Sequence, residues 1–394
     1  MNFELSKKHL EYYTFHDLLF MFWLFSEIVF SYTIISRFSL ILFVGYSFLS
    51  VFRHRFYWLP FLSAYSLFLL LSAINIVGGW AVSTNIAISY TRTVFLNLCF
   101  LIALANYLLK KKTYLNILVI IEKTIVFSCL LFLIFGFRDI FSGSRLSTFG
   151  INSNVLGSFA AFIFLVILVR LINIRANILL DYIKLLLLFI IIILSGSRKA
   201  ILIPLVGVSI NYYIQNPKRV LRVFIISVLI TITVLFILLK IDFIYKFIGY
   251  RIEPILDFIM GKEYEEGSMT TRIGFIQLAW QESFNSPIIG HGLHNFSLLP
   301  KAYGTYSHNN YTEILYSLGW LGLLVYYVPL FRLARRLFLF RSLDIFLFST
   351  LFSLLLSILI TDFFVVRYFS RDSIFFIIII EAIFARVYKQ YKKK

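Results

Sequence analysis

Four polar stretches of this 394-residue chain carry side chains suited to chemistry on an anion. Arg145 lies in Ser142-Gly-Ser-Arg-Leu-Ser-Thr148, followed by Gly150-Ile-Asn-Ser-Asn154. Arg198 and Lys199 close Ser195-Gly-Ser-Arg-Lys, between two hydrophobic runs. Arg272 follows Thr270 and Thr271, and His308 stands in Ser307-His-Asn-Asn-Tyr-Thr-Glu313. Guanidinium presents a planar fork that matches phosphate oxygens, and helix-start N–H groups add to it. Three such arginines on one side of a membrane bundle would suit a lipid pyrophosphate. The alternative is that each snorkels to headgroups or pairs with a loop carboxylate. A histidine where a loop meets a span has three readings: a general base, a donor to phosphate, or a helix cap. His291 and His294 complete an outer trio, but His291-Gly-Leu-His294 lacks a third ligand at usual zinc spacing, so no metal is expected.

The elements that must position these residues are membrane spans. The chain is 60% hydrophobic and 14% charged, where a soluble domain carries roughly 25% charge. Apolar runs of roughly 17–25 residues fall near 18–36, 38–52, 57–77, 86–109, 114–136, 153–173, 185–196, 200–215, 223–239, 309–331, 343–361 and 373–388. The expected fold is all-α and polytopic, with about twelve transmembrane helices. The runs 185–196 and 200–215 are short for a crossing, and the turn between them reads as broken or re-entrant. Three divisions follow: an N-terminal bundle of about nine spans over 1–239, an extracytoplasmic loop over 240–308, and a C-terminal bundle with a basic tail over 309–394.

The net charge of +18 comes from 37 Lys and Arg against 19 Asp and Glu. With the N-terminus in the cytoplasm, the clusters at Lys7/Lys8, Arg53/Arg55, Lys110–Lys112, Arg170/Arg175/Lys184, Lys218/Arg219/Arg222, Arg332–Arg341 and Arg386–Lys394 all fall inside. Both termini are then cytoplasmic. This bias accounts for the charge without nucleic acid as a partner. Arg145, Arg198, Lys199 and Arg272 are exceptions on the outer side. Within the loop, Glu263-Tyr-Glu-Glu266 is acidic, and a helix is expected from Arg272 to about Phe284, capped by Thr270 or Thr271. Its Ile276, Ala279, Trp280 and Phe284 share a face that lies on the membrane or packs on the bundle. Cys99 and Cys129 sit in apolar runs, which supports neither a disulfide framework nor a thiolate site. No nucleotide-binding glycine loop or serine nucleophile elbow occurs, and no cofactor is implied. A transporter is the rival from another class, but Glu27, Arg92, Glu122 and Lys123 form no evident pattern within the spans.

From His308 the chain reads His-Asn, nine residues, then Gly319-Trp-Leu-Gly322. This resembles the signature of the O-antigen ligase/polymerase superfamily, and Tyr306 to Gly322 looks most like Wzy-type O-antigen and capsular repeat-unit polymerases. Arg145 to Asn154, Ser195 to Arg198, Thr271 to Trp280 and Pro287-Ile-Ile-Gly-His-Gly292 resemble other family elements in the same order. The likeness covers about 142–330. It implies an inverting, metal-independent glycosyltransferase of the GT-C type in the bacterial plasma membrane, using oligosaccharides on undecaprenyl pyrophosphate. Its products would be lipopolysaccharide or capsule, with a flippase and a chain-length regulator as partners. Carried over, Arg198 and Arg272 would hold the pyrophosphate and His308 would assist the acceptor hydroxyl. Arg145, Asn154, Lys199 and Asn309 would contact substrate. Ligation to lipid A-core is the alternative reaction.

Overall fold

The computed structural model describes residues 13–31, 33–52, 56–111, 114–141, 146, 152–174, 178–216, 218, 220–260, 268–342 and 344–391. Among these residues there is no strand. The helices are α1 (Phe15–Val29), α2 (Ile34–Phe52), α3 (Pro60–Val77), α4 (Thr84–Lys110), α5 (Tyr114–Phe135) and a short α6 (Phe137–Phe141). They continue with α7 (Ser153–Ile174), α8 (Ile178–Leu194), α9 (Arg198–Gln215), α10 (Val220–Lys240), a single turn α11 (Asp242–Ile244) and α12 (Tyr250–Ile259), a π-helical turn at Tyr245–Gly249 joining the last two. The chain ends with α13 (Ser268–Ser283), α14 (Asn310–Phe340), α15 (Ile345–Thr361) and α16 (Arg371–Tyr391). Each expected span overlaps a helix, although the first, 18–36, runs past the end of α1 at Val29 into the start of α2. Among the described residues six helices (α2, α3, α4, α5, α7 and α14) are long and apolar enough to cross a membrane. This is an all-α polytopic membrane protein. In hydrocarbon the backbone must satisfy its own polar groups, which leaves apolar sequence of this length little choice but helix.

By contact the chain forms two compact units, each drawn from three segments. The first comprises Met1–Arg53, Lys110–Glu253 and Arg341–Ser357. Here α7 packs against α8 and α9, and α1 packs against α2 and α5. A charged cluster joins three of these helices. The Arg170 guanidinium donates to Glu122 (2.7 Å) and Asp181 (2.6 Å), and the Lys184 ammonium reaches Glu122 at 2.6 Å. Glu122, which stood without a partner in the sequence, is thus paired by residues 48 and 62 positions away. The α8–α9 connection is a tight buried turn in which Gly196 is left-handed. It seats against Gly157 of α7, where a Cβ would overlap the Ser195 hydroxyl.

The second unit comprises His54–Leu109, Pro254–Phe340 and Ile358–Lys394. In it α14 packs against α3 and α13. Phe61, Tyr65, Phe68 and Tyr326 are buried together, and the Tyr65 hydroxyl donates to the Tyr368 carbonyl (2.6 Å). Pro60 opens α3 where no N–H is needed, and Glu381 of α16 accepts the next N–H, from Phe61. A cleft of about 400 Å³ between α3, α14 and α16 is lined by Arg332, Arg336 and Glu381, far along α14 from His308.

Candidate functional site

The loop from α13 to α14 is built into a break in α14. Gly319 has φ 63° and ψ −165°, so the helix stops and restarts there. The break frees carbonyls on one side and N–H groups on the other, and residues 287–292 take up both. Trp320 N–H donates to Pro287 O (2.8 Å) and Leu321 N–H to Ile288 O (3.3 Å). In return His291 N–H donates to Tyr316 O (3.0 Å) and Gly292 N–H to Ser317 O (2.9 Å). Any Cβ at Gly319 would overlap the Ile288 carbonyl, and one at Gly290 would lie 2.5 Å from the Ser317 backbone. A Gly-x-x-Gly pair on a span commonly marks close approach of a neighbouring span. At Gly319 the neighbour is instead the loop itself, and a Cβ at Gly322 would overlap Leu318 of the same helix. Asn75 of α3 secures the splice by donating to the carbonyls of Ile289 (3.1 Å) and Gly290 (3.2 Å).

The same construction fixes His308. The backbone before it is held by the buried Glu313, whose Oε2 accepts the Ser307 N–H at 2.7 Å. After it, Asn309 caps α14, its Oδ1 accepting the N–H groups of Tyr311 (2.9 Å) and Thr312 (3.1 Å). Asn310 then ties the helix start to residues 362–368: its Oδ1 accepts Arg367 N–H (2.7 Å) and its N–H donates to Asp362 O (2.8 Å). Arg367 and Asp362 are themselves a buried ion pair at 2.5 Å. Between these anchors His308 adopts a left-handed backbone, φ 58°. A non-glycine residue there carries a strain of order 1 kcal/mol, of the kind that persists where surroundings over-determine it.

The His308 ring lies 4.5 Å from the Tyr306 ring and 6.1 Å from Phe275, nearly parallel to the latter. Phe275 belongs to a small core with Ala279, Phe296, Ala302 and Tyr316, which holds α13 against α14. Arg272 precedes Phe275 by one turn of α13 and shares its side of that helix. Burial and then the Arg272 charge lower the proton affinity of His308 to a pKa of about 4. Burial raises that of Tyr306, with Arg272 opposing. At neutral pH His308 is therefore an uncharged imidazole next to a fixed cation. It has a lone pair to receive a proton, and Arg272 supplies charge for an anion.

The loop helix departs from expectation in two ways. It begins at Ser268, so Thr270 and Thr271 lie inside its first turn instead of capping it. The apolar stripe divides: Ala279 is buried, whereas Trp280 is 45% and Phe284 58% exposed, their rings edge to face at 5.4 Å. The buried face is marked by Phe275 and Ala279, with Leu278 half-buried beside them. Each of the three loop histidines is stacked on or tilted against a tyrosine: His291 on Tyr316 (4.5 Å), His294 on Tyr90 (3.9 Å) and His308 beside Tyr306.

His308, Arg272 and Asn309 thus come together in the second unit, with Asn309 serving at least as a cap. Arg198, Lys199 and Asn154 belong to the first. There Gly157 brings the start of α7, with Asn154, beside the start of α9, where Arg198 and Lys199 occupy the first turn. Cations at a helix N-terminus oppose its dipole, and a bound anion would offset that. Arg145 lies outside the described residues. Its neighbour Leu146 is buried, with its N–H 3.4 Å from the Leu194 carbonyl at the end of α8. Sequence reasoning missed Asp362, Arg367 and Glu313. Arg367 carried a usable signal, since it is another basic residue on the expected outer side.

Residues 183–327 match the family model described as O-antigen ligase, a stretch running from α8 into α14 and containing Arg198, Lys199, Arg272, His308 and Asn309. No curated protein matches the chain.

Proposed function

We propose that the chain is a polysaccharide polymerase of the O-antigen ligase/polymerase superfamily, a reading supported by the family-model match over residues 183–327. It transfers a growing glycan from undecaprenyl pyrophosphate to the non-reducing end of a lipid-linked repeat unit. The observation that carries the reading is His308: uncharged, rigidly held and adjacent to Arg272. An acceptor hydroxyl attacks the anomeric carbon, its proton passes to the His308 imidazole, and the glycosyl–phosphate bond breaks. The electron pair leaves with the pyrophosphate, whose growing charge Arg272 stabilises where it develops. Attack opposite the leaving group inverts the anomeric centre in one step. Guanidinium charge at the leaving group does the work for which other transferases recruit a divalent ion, so the reaction is metal-independent. Arg198 is assigned to the same pyrophosphate by the motif order, with Lys199, Asn154 and Arg145 as further substrate contacts.

In this reading the chain sits in the bacterial plasma membrane with both termini cytoplasmic and His308 on the outer face. The basic residues at the opposite loops support that orientation. A flippase supplies its substrate and a chain-length regulator is its partner. The GT-C type follows from the same likeness. The second reading is ligation of glycan to lipid A-core, and the matching family model is described as a ligase. Purified protein given lipid-linked repeat units as sole substrate separates the two. A ladder of products supports the polymerase, and extension only when a distinct acceptor is added overturns it in favour of the ligase.

A further inference from the structure

His294 shares the feature that distinguishes His308 but has no part in the reaction as written. It is left-handed, φ 60° and ψ 9°. Its carbonyl is satisfied without its side chain, accepting the Ser297 hydroxyl (2.8 Å) and the Ser297 N–H (3.3 Å). Glycine or asparagine would adopt this turn at lower cost, so the turn itself does not call for an imidazole.

The ring is instead clamped by other rings. Tyr90 stacks on one face at 3.9 Å, Phe369 meets it edge-on at 5.9 Å, and Tyr306 lies 6.4 Å away. Tyr306 is the ring that also touches His308. Burial lowers the His294 pKa to about 4, so it too is uncharged. Nδ1 is buried and has no hydrogen-bond partner, whereas Nε2 is not among the buried polar atoms. Buried orphan donors are rarer than buried orphan acceptors. The proton therefore belongs on Nε2, the accessible nitrogen.

We propose that His294 is a sugar-contacting residue: its Nε2–H donates to a hydroxyl of the incoming acceptor glycan, whose pyranose ring lies against Tyr306 and Phe369. The inference rests on the glycan-transfer reading and gives it an acceptor subsite one aromatic ring away from His308. An uncharged donor among aromatic rings fits a neutral hydroxylated ring, while the phosphate requires the arginines. His308 and His294 then divide the work, one taking a proton and the other orienting the hydroxyl-bearing sugar.

The test uses the full chain in detergent, repeat-unit oligosaccharide released from the producing strain's lipid carrier, and the intact lipid-linked repeat unit. His294→Asn keeps a residue tolerant of the left-handed turn but withdraws the imidazole. It should weaken oligosaccharide binding about tenfold, the loss of one hydrogen bond, and raise the acceptor KM similarly while kcat stays within about threefold. Tyr306→Leu, which removes the wall without touching the turn, should weaken binding in the same direction. His308→Ala should abolish transfer and still bind oligosaccharide. Unchanged binding in His294→Asn, or a fall in kcat at constant KM, overturns the subsite. Binding that depends on His294 in a wild-type protein that transfers nothing would uphold the subsite and overturn the polymerase.

Discussion

Two polar clusters, one in each unit, treat their charges in opposite ways. In the first, Glu122, Arg170, Asp181 and Lys184 answer one another, and Arg170 and Lys184 each reach both carboxylates. In the second, around the loop of residues 284–309, Glu313 Oε1, Ser317 Oγ, Asn295 Oδ1 and His294 Nδ1 are buried without partners. Three non-glycine residues there, His294, Tyr303 and His308, are left-handed. Saturated polar groups on regular helix stabilise a fold. Orphaned groups on strained backbone cost stability, and evolution retains such a cost where a ligand completes the arrangement. In the sequence Arg170 and Lys184 served only to orient the chain and Glu122 fitted no pattern; geometry shows them as scaffold.

The largest effect expected is at the site. His308→Ala should lower polymer yield by about 10²–10⁴-fold, the range for loss of a general base, with unchanged membrane insertion by fractionation. Arg272→Ala should cost about 10²–10³-fold, and Arg272→Lys should recover only part, because an ammonium lacks the planar fork. Wild-type polymer length in Arg272→Ala would remove this residue from the pyrophosphate. The scaffold cluster should show the reverse pattern. Glu122→Ala leaves Arg170 and Lys184 short of a counter-charge and should cost roughly 3–5 kcal/mol, read as a lower melting temperature with near-normal turnover per folded molecule. Were that variant to lose kcat with its stability intact, the contrast between the clusters would fail.

The smallest effect concerns pH. With its folded pKa lowered to about 4, His308 is a base throughout the neutral range. Its contribution to stability is fully present above the ordinary histidine value of 6.5 and is lost as pH falls toward the folded value. Arg272→Gln removes the second of the two causes, so the His308 pKa rises and the acid limb of the residual activity moves to higher pH. Burial is the larger cause, so the move should be under one unit. A limb that stays in place or moves down would show that Arg272 does not act on His308.

Much of the scaffold was legible because a spanning helix is a local property. The runs at 57–77 and 86–109 needed only length and hydropathy, and α3 and α4 lie within a few residues of them. His308 and Arg272 were singled out from motif and spacing, and the fold brings them together. What sequence could not reveal was pairing at a distance. Nothing in Glu122 announces Arg170, and nothing in Asn75 announces the carbonyls of residues 289 and 290. The Trp280 stripe left membrane surface and bundle packing both open; Trp280 and Phe284 are exposed, as a helix at a membrane surface allows, while Ala279 is buried. Helical periodicity alone then no longer identifies the face that packs.

The splice at Gly319 has a consequence for exchanging parts between relatives. A surface loop ordinarily tolerates insertion because its bonds are its own. Here residues 287–292 complete the hydrogen bonding of a spanning helix, so their register is that of the helix. A chimera that imported the loop alone would arrive with donors and acceptors out of step. The smallest portable module is the loop together with both halves of α14, and specificity should travel between relatives only in pieces of that size.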